Sequence, residues 1–236
     1  MDITRFNVQN RLLSRLDAKD LDLLAPDLEL HSFQLRDVIE TPKQKIKHAI
    51  FMETGIASIV VKSPSGKDIE VGLVGREGMT GTSIVLGADV SPLSVYIQLE
   101  GMGYRIPADK LKTAMEASET LRQRLLLYVQ SVIIQSATTT LINGRANAET
   151  RLARWLLMVH DRTNGNELHL THEFMSVMLA VRRPWVTETL HVLEGKGYIR
   201  SSRGKITILN RAGLIEDAGG FYGVAEQEYE NLMNIV

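Results

Sequence analysis

The chain has 236 residues, a formal net charge of −1 and no cysteine. This length is enough for two domains, and 44% hydrophobic with 23% charged residues is typical of a globular protein. The lack of cysteine excludes disulfides, thiolate zinc sites, cysteine-ligated iron–sulfur clusters and thiol nucleophiles. We find neither a secretory signal nor the roughly 18 consecutive apolar residues of a membrane span, which predicts a soluble cytoplasmic protein.

The charge is unevenly distributed along the chain. Residues 145–211 carry 11 basic and 6 acidic side chains, whereas residues 212–236 carry five acids and no base. A local basic block can bind nucleic acid even when the whole chain is nearly neutral. The distribution therefore makes residues 145–211 the first place to look for a nucleic-acid site.

The first half of the chain changes pattern near residue 31. Leucines at three- and four-residue spacing between residues 10 and 30 predict short helices that end at Pro26. Residues 31–107 instead contain short apolar runs, such as 49–52, 56–61 and 69–74, bounded by glycine and proline turns. Such runs at intervals of about 8–12 residues predict an antiparallel barrel or sandwich.

A long helix is predicted from about residue 118 to residue 143, with apolar residues on two faces. One face is a heptad stripe of Leu121, Leu125, Tyr128, Val132, Gln135 and Thr139, and the other holds Leu126, Val129 and Ile133. One face can pack on the strands of its own domain and leave the other for a second subunit. A single thick core covering both faces is the alternative.

Residues 171–195 predict two short helices joined by a tight turn. Thr171 can cap the first helix, and Pro184 fits only the first turn of the second. Val186, Leu190 and Leu193 share one side of that second helix, so the opposite side presents Arg183, Thr187, Glu188 and His191, with Arg182 and Trp185 on its flanks.

This arrangement meets the requirements of a helix-turn-helix that reads DNA. Arginine can pair with guanine through two hydrogen bonds, and glutamate can accept one from cytosine. Residues 198–208 follow as a hairpin with a basic tip that includes Arg203 and Lys205, suited to lie along phosphates. A plain three-helix bundle with a solvated Arg/Glu face is the competing interpretation.

These stretches resemble the winged helix-turn-helix of the CRP/FNR superfamily of bacterial transcription regulators. The resemblance is carried by residues 149–157 (ETRLARWLL), 168–171 (LHLT), 182–187 (RRPWVT) and 193–199 (LEGKGYI). Residues 51–55 (FMETG) and 78–81 (GMTG) are similar to the cyclic-nucleotide-binding-type β-roll of the same superfamily.

The resemblance implies an α+β fold of three parts. These are a double-stranded β-helix, or jelly-roll-like, sensor domain (1–117), a dimerisation helix (118–144) and a winged helix-turn-helix domain with an acidic helical tail (145–236). The expected partners are double-stranded DNA, a second copy of the chain and RNA polymerase. The expected operator is roughly palindromic, with half-sites about 34 Å apart.

By position in the family pattern, the resemblance also assigns DNA-contacting roles. Arg183 and Glu188 occupy base-reading places, with Pro184 between them where the family often has a polar residue. Thr171, Arg182 and Trp185 match phosphate-contacting places, and Ala180 stands where many members have glycine. The full predicted set is Thr171, Arg182, Arg183, Pro184, Trp185, Thr187, Glu188, His191, Arg203 and Lys205. The heptad stripe Leu121, Leu125, Tyr128, Val132, Gln135 and Thr139 is the predicted dimer seam.

The effector pocket implied by the family lies in the β-roll. Its candidate residues here are Gly81, Thr82, Ser83, Ser91, Pro92, Leu93 and Ser136. Thr82 stands at the usual glutamate and Pro92 at the usual arginine, so a cyclic phosphate would lack its charge-assisted partner. We therefore predict a small unidentified effector rather than a cyclic nucleotide. A cyclic-AMP-type regulator with a divergent pocket remains the alternative, and haem bound through His31 or His48 is formally open.

No catalytic grouping can be identified from the spacing. The glycines at 72, 75, 78 and 81 lack the Gly-Lys-Ser/Thr of a phosphate loop, and neither His-Glu-x-x-His nor Gly-x-Ser-x-Gly occurs. The sequence thus predicts no enzyme, no metal and no cofactor. A small-molecule-binding protein that never contacts DNA is a further alternative, and the basic second helix argues against it.

Overall fold

The computed structural model describes residues 8–63, 68–179 and 181–235. Its helices are α1 (Ala18–Leu24), α2 (Thr82–Val85), α3 (Ala108–Ala117), α4 (Glu119–Arg145), α5 (Ala148–Arg162), α6 (His172–Met178), α7 (Arg183–Gly195), α8 (Arg211–Asp217) and α9 (Val224–Met233). Its strands are β1 (Glu29–Phe33), β2 (Val38–Glu40), β3 (His48–Met52), β4 (Ile56–Val61), β5 (Ile69–Val74), β6 (Ser94–Leu99), β7 (Gly101–Pro107), β8 (Glu167–Leu168), β9 (Ile199–Ser202) and β10 (Lys205–Ile208).

The described residues divide into two compact units. The first contains residues 8–59, 73–134 and 228–235, and the second contains the described parts of 60–72 and 135–227. The mixed α+β fold predicted from the sequence is confirmed, and the predicted apolar runs 49–52, 56–61 and 69–74 correspond to β3, β4 and β5.

The β-roll sequence forms two sheets, of which one lies wholly in the first unit and the other has the end of β4 and most of β5 counted in the second. One sheet has the order β1-β7-β3 and is antiparallel, with Ile50 opposite Arg105, and the other has the order β2-β6-β4-β5. On β3, Ala49 and Phe51 lie in the apolar core with leucines of the N-terminal segment, because alternate residues of a strand point to the same face. Asp17 accepts a hydrogen bond from the amide of Asp20 and so caps α1.

The second unit is a small helical domain with a three-stranded sheet. Its sheet has the order β8-β10-β9, and α5 carries a buried side that includes Leu152, Leu156 and Val159. Asn147 caps α5 by accepting from the amide of Thr150. This is the winged arrangement predicted from the sequence: helices first, then a hairpin.

The first half of the predicted dimer seam on α4 is buried in its own unit and is not available to a second subunit. Leu121 and Leu125 are fully buried and Tyr128 is 2% exposed, all three within the core of their own unit. Val132 packs against the same core, and Gln135 and Thr139 are half-buried. The predicted stripe therefore faces inward over its first turns, because the strands and N-terminal leucines already cover it.

The exposed side of α4 carries the other apolar face. Leu126, Ile133 and Leu141 are 42%, 59% and 54% exposed, and the exposed Gln130 and Ala137 lie between them on the same side of the helix. Of the second predicted face, Leu126 and Ile133 are exposed, whereas Val129 is 4% exposed and lies in the core with the first face. Among the described residues, α4 is also the one helix with the length and composition of a membrane span.

The acidic tail ends in the first unit rather than in the helical domain. Tyr229, Leu232 and Met233 of α9 are buried in the same core as Leu12 and Leu121. Glu230 pairs with Arg15 at 2.6 Å and also with Arg11, and Arg124 donates to the carbonyl of Met233. The domain predicted for residues 145–236 therefore differs from the second unit at residues 228–235, which belong to the first unit.

Candidate nucleic-acid interface

Helices α6 and α7 form the predicted helix-turn-helix. The hydroxyl of Thr171 accepts from the amide of Phe174 at 3.1 Å and caps α6. Helix α7 begins at Arg183, with Pro184 in its first turn, where the missing amide hydrogen of proline costs no hydrogen bond. Ala180, the predicted glycine position of the turn, lies outside the described residues.

The outer side of α7 presents charged groups to solvent. Arg182, Arg183, Pro184, Glu188 and His191 are exposed, whereas Val186 and Leu193 are fully buried and Leu190 is 1% exposed. A helix with this division has one side fixed in its domain and one side free to enter a major groove. The structure therefore brings five of the predicted DNA-contacting residues together on one surface.

The side chain of Thr187 is less exposed than the sequence predicts. Its side chain is half-buried, donates to the carbonyl of Arg183 at 3.3 Å and lies 3.0 Å from Nδ1 of His172. Burial, followed by the nearby positive charge of Arg183, lowers the pKa of His172. Thr187 thus joins α7 to α6, and a neutral His172 is favoured at that junction.

Trp185, in the first turn of α7, contacts Arg151 of α5. Its ring is half-buried and lies 5.8 Å from the guanidinium carbon of Arg151, which donates to the carbonyl of Leu179 at 2.5 Å. This cation–π contact fixes the ring at the entrance to α7. The sequence analysis missed Arg151, and its only signal was its position in the ETRLARWLL stretch.

The wing is the antiparallel pair β9 and β10. Arg203 is exposed at its tip, next to Gly204, whose φ of 75° gives the left-handed turn that favours glycine. Nζ of Lys205 lies 2.8 Å from Oε1 of Glu167 on β8, so this lysine already has an anionic partner. Arg200 is an exposed cation on β9 that the sequence analysis did not select.

The predicted effector residues fall into separate places. Gly81 has a φ of 79°, and its amide donates to the buried carboxylate of Glu40 at 2.8 Å, just before Thr82 and Ser83 on α2. Ser91 accepts from the amide of Leu93 at 3.1 Å, and Pro92 is exposed. Ser136 is half-buried on α4, in the part assigned to the second unit.

The β-roll also buries polar groups that the sequence analysis missed. The hydroxyls of Thr80 and Ser94 and both side-chain polar atoms of Gln98 are buried and have no hydrogen-bond partner among the described residues. Buried polar atoms of this kind are uncommon in folded proteins and call for water or a ligand. Among the described residues, no three His, Asp or Glu side chains are grouped so that they could hold a metal ion.

Comparisons with known proteins agree with this geometry. Residues 150–216 match the family model of the Crp-like helix-turn-helix domain. A transcriptional regulator of the crp/fnr family from Eubacterium rectale is similar in structure, with a TM-score of 0.69, 19% identity and coverage of 90% of this chain and 99% of that chain. FixK2 from Bradyrhizobium japonicum is also similar, with a TM-score of 0.70 and 16% identity. The match covers 80% of this chain and 96% of that chain.

A third structure, a CRP/FNR-family regulator from Thermus thermophilus, has a TM-score of 0.65 and 20% identity, covering 81% of this chain and 99% of that one. No curated protein sequence matches the chain significantly. The fold and the exposed α7 define a winged helix-turn-helix protein with a β-roll domain. The chain carries a Crp-like helix-turn-helix domain and has the fold of the CRP/FNR regulators, which confirms the resemblance seen in its sequence.

Proposed function

We propose that the protein is a sequence-specific DNA-binding transcription regulator that acts as a homodimer on a roughly palindromic operator. The observation that carries this proposal is the exposed side of α7, where Arg182, Arg183, Glu188 and His191 stand together over a buried side of Val186, Leu190 and Leu193. Two such helices, one per subunit, enter successive major grooves about 34 Å apart.

The predicted roles follow from where each side chain lies. Arg183 and Glu188 read base edges, because both are exposed on the first two turns of α7. Thr171, Arg182 and Trp185 face the phosphate backbone at the helix ends, and Arg203 with Arg200 follows it from the wing. Lys205 contributes only after exchanging Glu167 for a phosphate.

The exposed apolar face of α4 supplies the subunit contact. Leu126, Ile133 and Leu141 are each more than two-fifths exposed on one side of α4, and an apolar stripe along a long helix can pair with the same stripe of a second copy. This pairing also accounts for the apolar composition of α4 in a cytoplasmic protein that does not cross a membrane. RNA polymerase is the further partner expected of a regulator of this class.

The β-roll domain is the sensor, and the protein is not an enzyme. The family arginine and glutamate are replaced by an exposed Pro92 and by Thr82, which supports an effector other than a cyclic nucleotide. Since the usual partners of a cyclic phosphate are missing, addition of cyclic AMP should leave the melting temperature unchanged. A true effector at 100 times its dissociation constant should instead raise the stability of the folded state by about 2.7 kcal/mol.

The test is selection of an operator from a random duplex library with the full-length protein, followed by binding measurements over a range of salt concentrations. We expect a palindromic site whose affinity falls steeply with salt, because bound phosphates release counterions. Failure to retain any duplex at low salt would contradict the proposal. A thermal shift with cyclic AMP would instead support the divergent cyclic-nucleotide regulator.

A further inference from the structure

The first unit contains a cavity of about 250 Å³. It is lined by β1 and β2, by the connection from β2 to β3, and by residues of β3 and β7. None of the residues predicted for the effector site lines it. Its volume is close to the lower limit of ligand pockets, about 300 Å³.

The floor of the cavity is apolar. Phe33, Ile46 and Ile50 line it and are 5%, 3% and 4% exposed. These side chains form the apolar part of the lining, and the aromatic or aliphatic body of a ligand would pack against them.

Four basic side chains also belong to the lining. Lys45, Lys47, His48 and Arg105 all line the cavity. Two of them have acidic neighbours: Lys45 lies 3.8 Å from Asp89, and Arg105 donates through Nε and Nη2 to Glu29 at 2.9 and 2.7 Å. Lys47 lines the cavity without a carboxylate partner among the described residues, so it is the lysine best placed to attract an anionic head group.

Glu40 connects the cavity to α2. Its carboxyl is 6% exposed, and one of its oxygens accepts from the amide of Gly81 at the start of α2. Burial raises the pKa of this carboxyl, which favours its neutral form beside a bound anion. A ligand in the cavity thus contacts the side chain that holds Gly81, the residue just before α2.

We propose that this cavity binds a small organic acid, with an aromatic or aliphatic body on Phe33, Ile46 and Ile50 and a carboxylate held by Lys47, His48 and Arg105. The inference deepens the proposed function, because it assigns a ligand class and a place to the effector of the β-roll. The site is distinct from the positions where the family pattern puts a cyclic phosphate. Lys47 and Arg105 donate charge-assisted hydrogen bonds to the carboxylate, Arg105 after exchanging Glu29 for it, and a ring N–H of His48 donates a further bond. Glu40 transmits the presence of the ligand to Gly81.

The test uses benzoate as the probe, with benzyl alcohol and benzylamine as neutral and cationic analogues of similar shape. Titration calorimetry on the full-length protein should detect benzoate binding and weaker or absent binding of both analogues. The double variant Lys47→Gln/Arg105→Gln should lose about tenfold or more in benzoate affinity, since it removes two charged donors. Lys43→Gln is the matched control, because Lys43 is an exposed lysine of the same connection that does not line the cavity.

Glu40→Gln provides a second variant, because its amide oxygen can still accept from Gly81. Benzoate affinity should be unchanged or higher in this variant, since the carboxylate of the lining is gone. Preference for benzylamine, or an equal loss in Lys43→Gln and in the double variant, would overturn the inference. Operator binding measured on the same samples separates the two proposals: intact DNA binding without benzoate binding rejects only the cavity assignment.

Discussion

The indole N–H of Trp155 on α5 donates to Oε1 of Glu70 on β5 at 2.8 Å, and the two side chains are 5% and 6% exposed. Both residues belong to the second unit, which therefore includes part of a strand from the β-roll sequence as well as the helix-turn-helix. Residues 85 positions apart are thus joined in the unit proposed to bind DNA.

Replacement of Trp155 by phenylalanine tests this contact. Trp155→Phe removes the donor from a buried carboxylate and should lower the free energy of unfolding by about 1–3 kcal/mol. Glu70→Gln keeps an acceptor oxygen and should cost less. Both are measured by urea denaturation, and equal stability of Trp155→Phe and the parent protein would contradict the contact.

Arg183 and Arg203 should differ in how they affect DNA binding. Arg183→Ala removes a base reader, so it should cost about 1–3 kcal/mol on the selected operator and relax base choice at one position per half-site. Arg203→Gln removes a phosphate contact, so it should weaken all sequences evenly and reduce the slope of log affinity against log salt by about 0.9 per contact. Binding of mutated operators in a salt titration distinguishes them. Uniform weakening by Arg183→Ala would reject its role as a base reader.

The pH dependence of stability should reflect His172. Burial and Arg183 lower its pKa in the folded state below its ordinary value of 6.5, so the unfolded chain takes up its proton first as the pH falls. The stabilising effect is complete above pH 6.5 and is lost as the pH falls through the folded-state pKa. The melting temperature should therefore decrease below pH 6.5, and less steeply in His172→Gln. Identical pH profiles would show that His172 does not contribute.

His48 adds to the same decrease in the parent protein. Burial, then Arg105, lowers its pKa too, so its contribution has the same sign. His48→Gln measures the contribution of His48 separately.

Among the titratable groups that shift the pKa of His172, Arg183 and His191 lower it, and Glu194 raises it.

The two faces of α4 predict opposite outcomes for two substitutions. Ile133 is 59% exposed, so Ile133→Glu should leave the fold intact and dissociate the proposed dimer. Leu125 is fully buried, so Leu125→Ala should lower stability by about 2–5 kcal/mol through loss of packing. Sedimentation and circular dichroism measure both properties. An unchanged sedimentation coefficient for Ile133→Glu would place the subunit contact elsewhere.

The sequence predicted local features better than long-range ones. Pro184 predicted the start of α7, and Thr171 predicted the cap of α6, because each depends on a few neighbouring residues. The choice between the two apolar faces of α4 depends on which face the distant N-terminal leucines cover, which periodicity alone does not contain. The pairing of Lys205 with Glu167 and the cavity beside Glu40 likewise depend on residues far apart in the sequence.

The last turns of the chain give a final prediction. Leu232 is 6% exposed within the core of the first unit, next in sequence to the buried Met233, and Tyr229 donates to the carbonyl of Glu77 at 2.6 Å. Leu232→Ala should therefore destabilise the protein by about 2–5 kcal/mol, as truncation of a core leucine does. Ile235 is 60% exposed, so Ile235→Ala is a matched control that should change stability by less than about 0.5 kcal/mol. Equal effects of the two substitutions in urea denaturation would show that the tail is not part of this core.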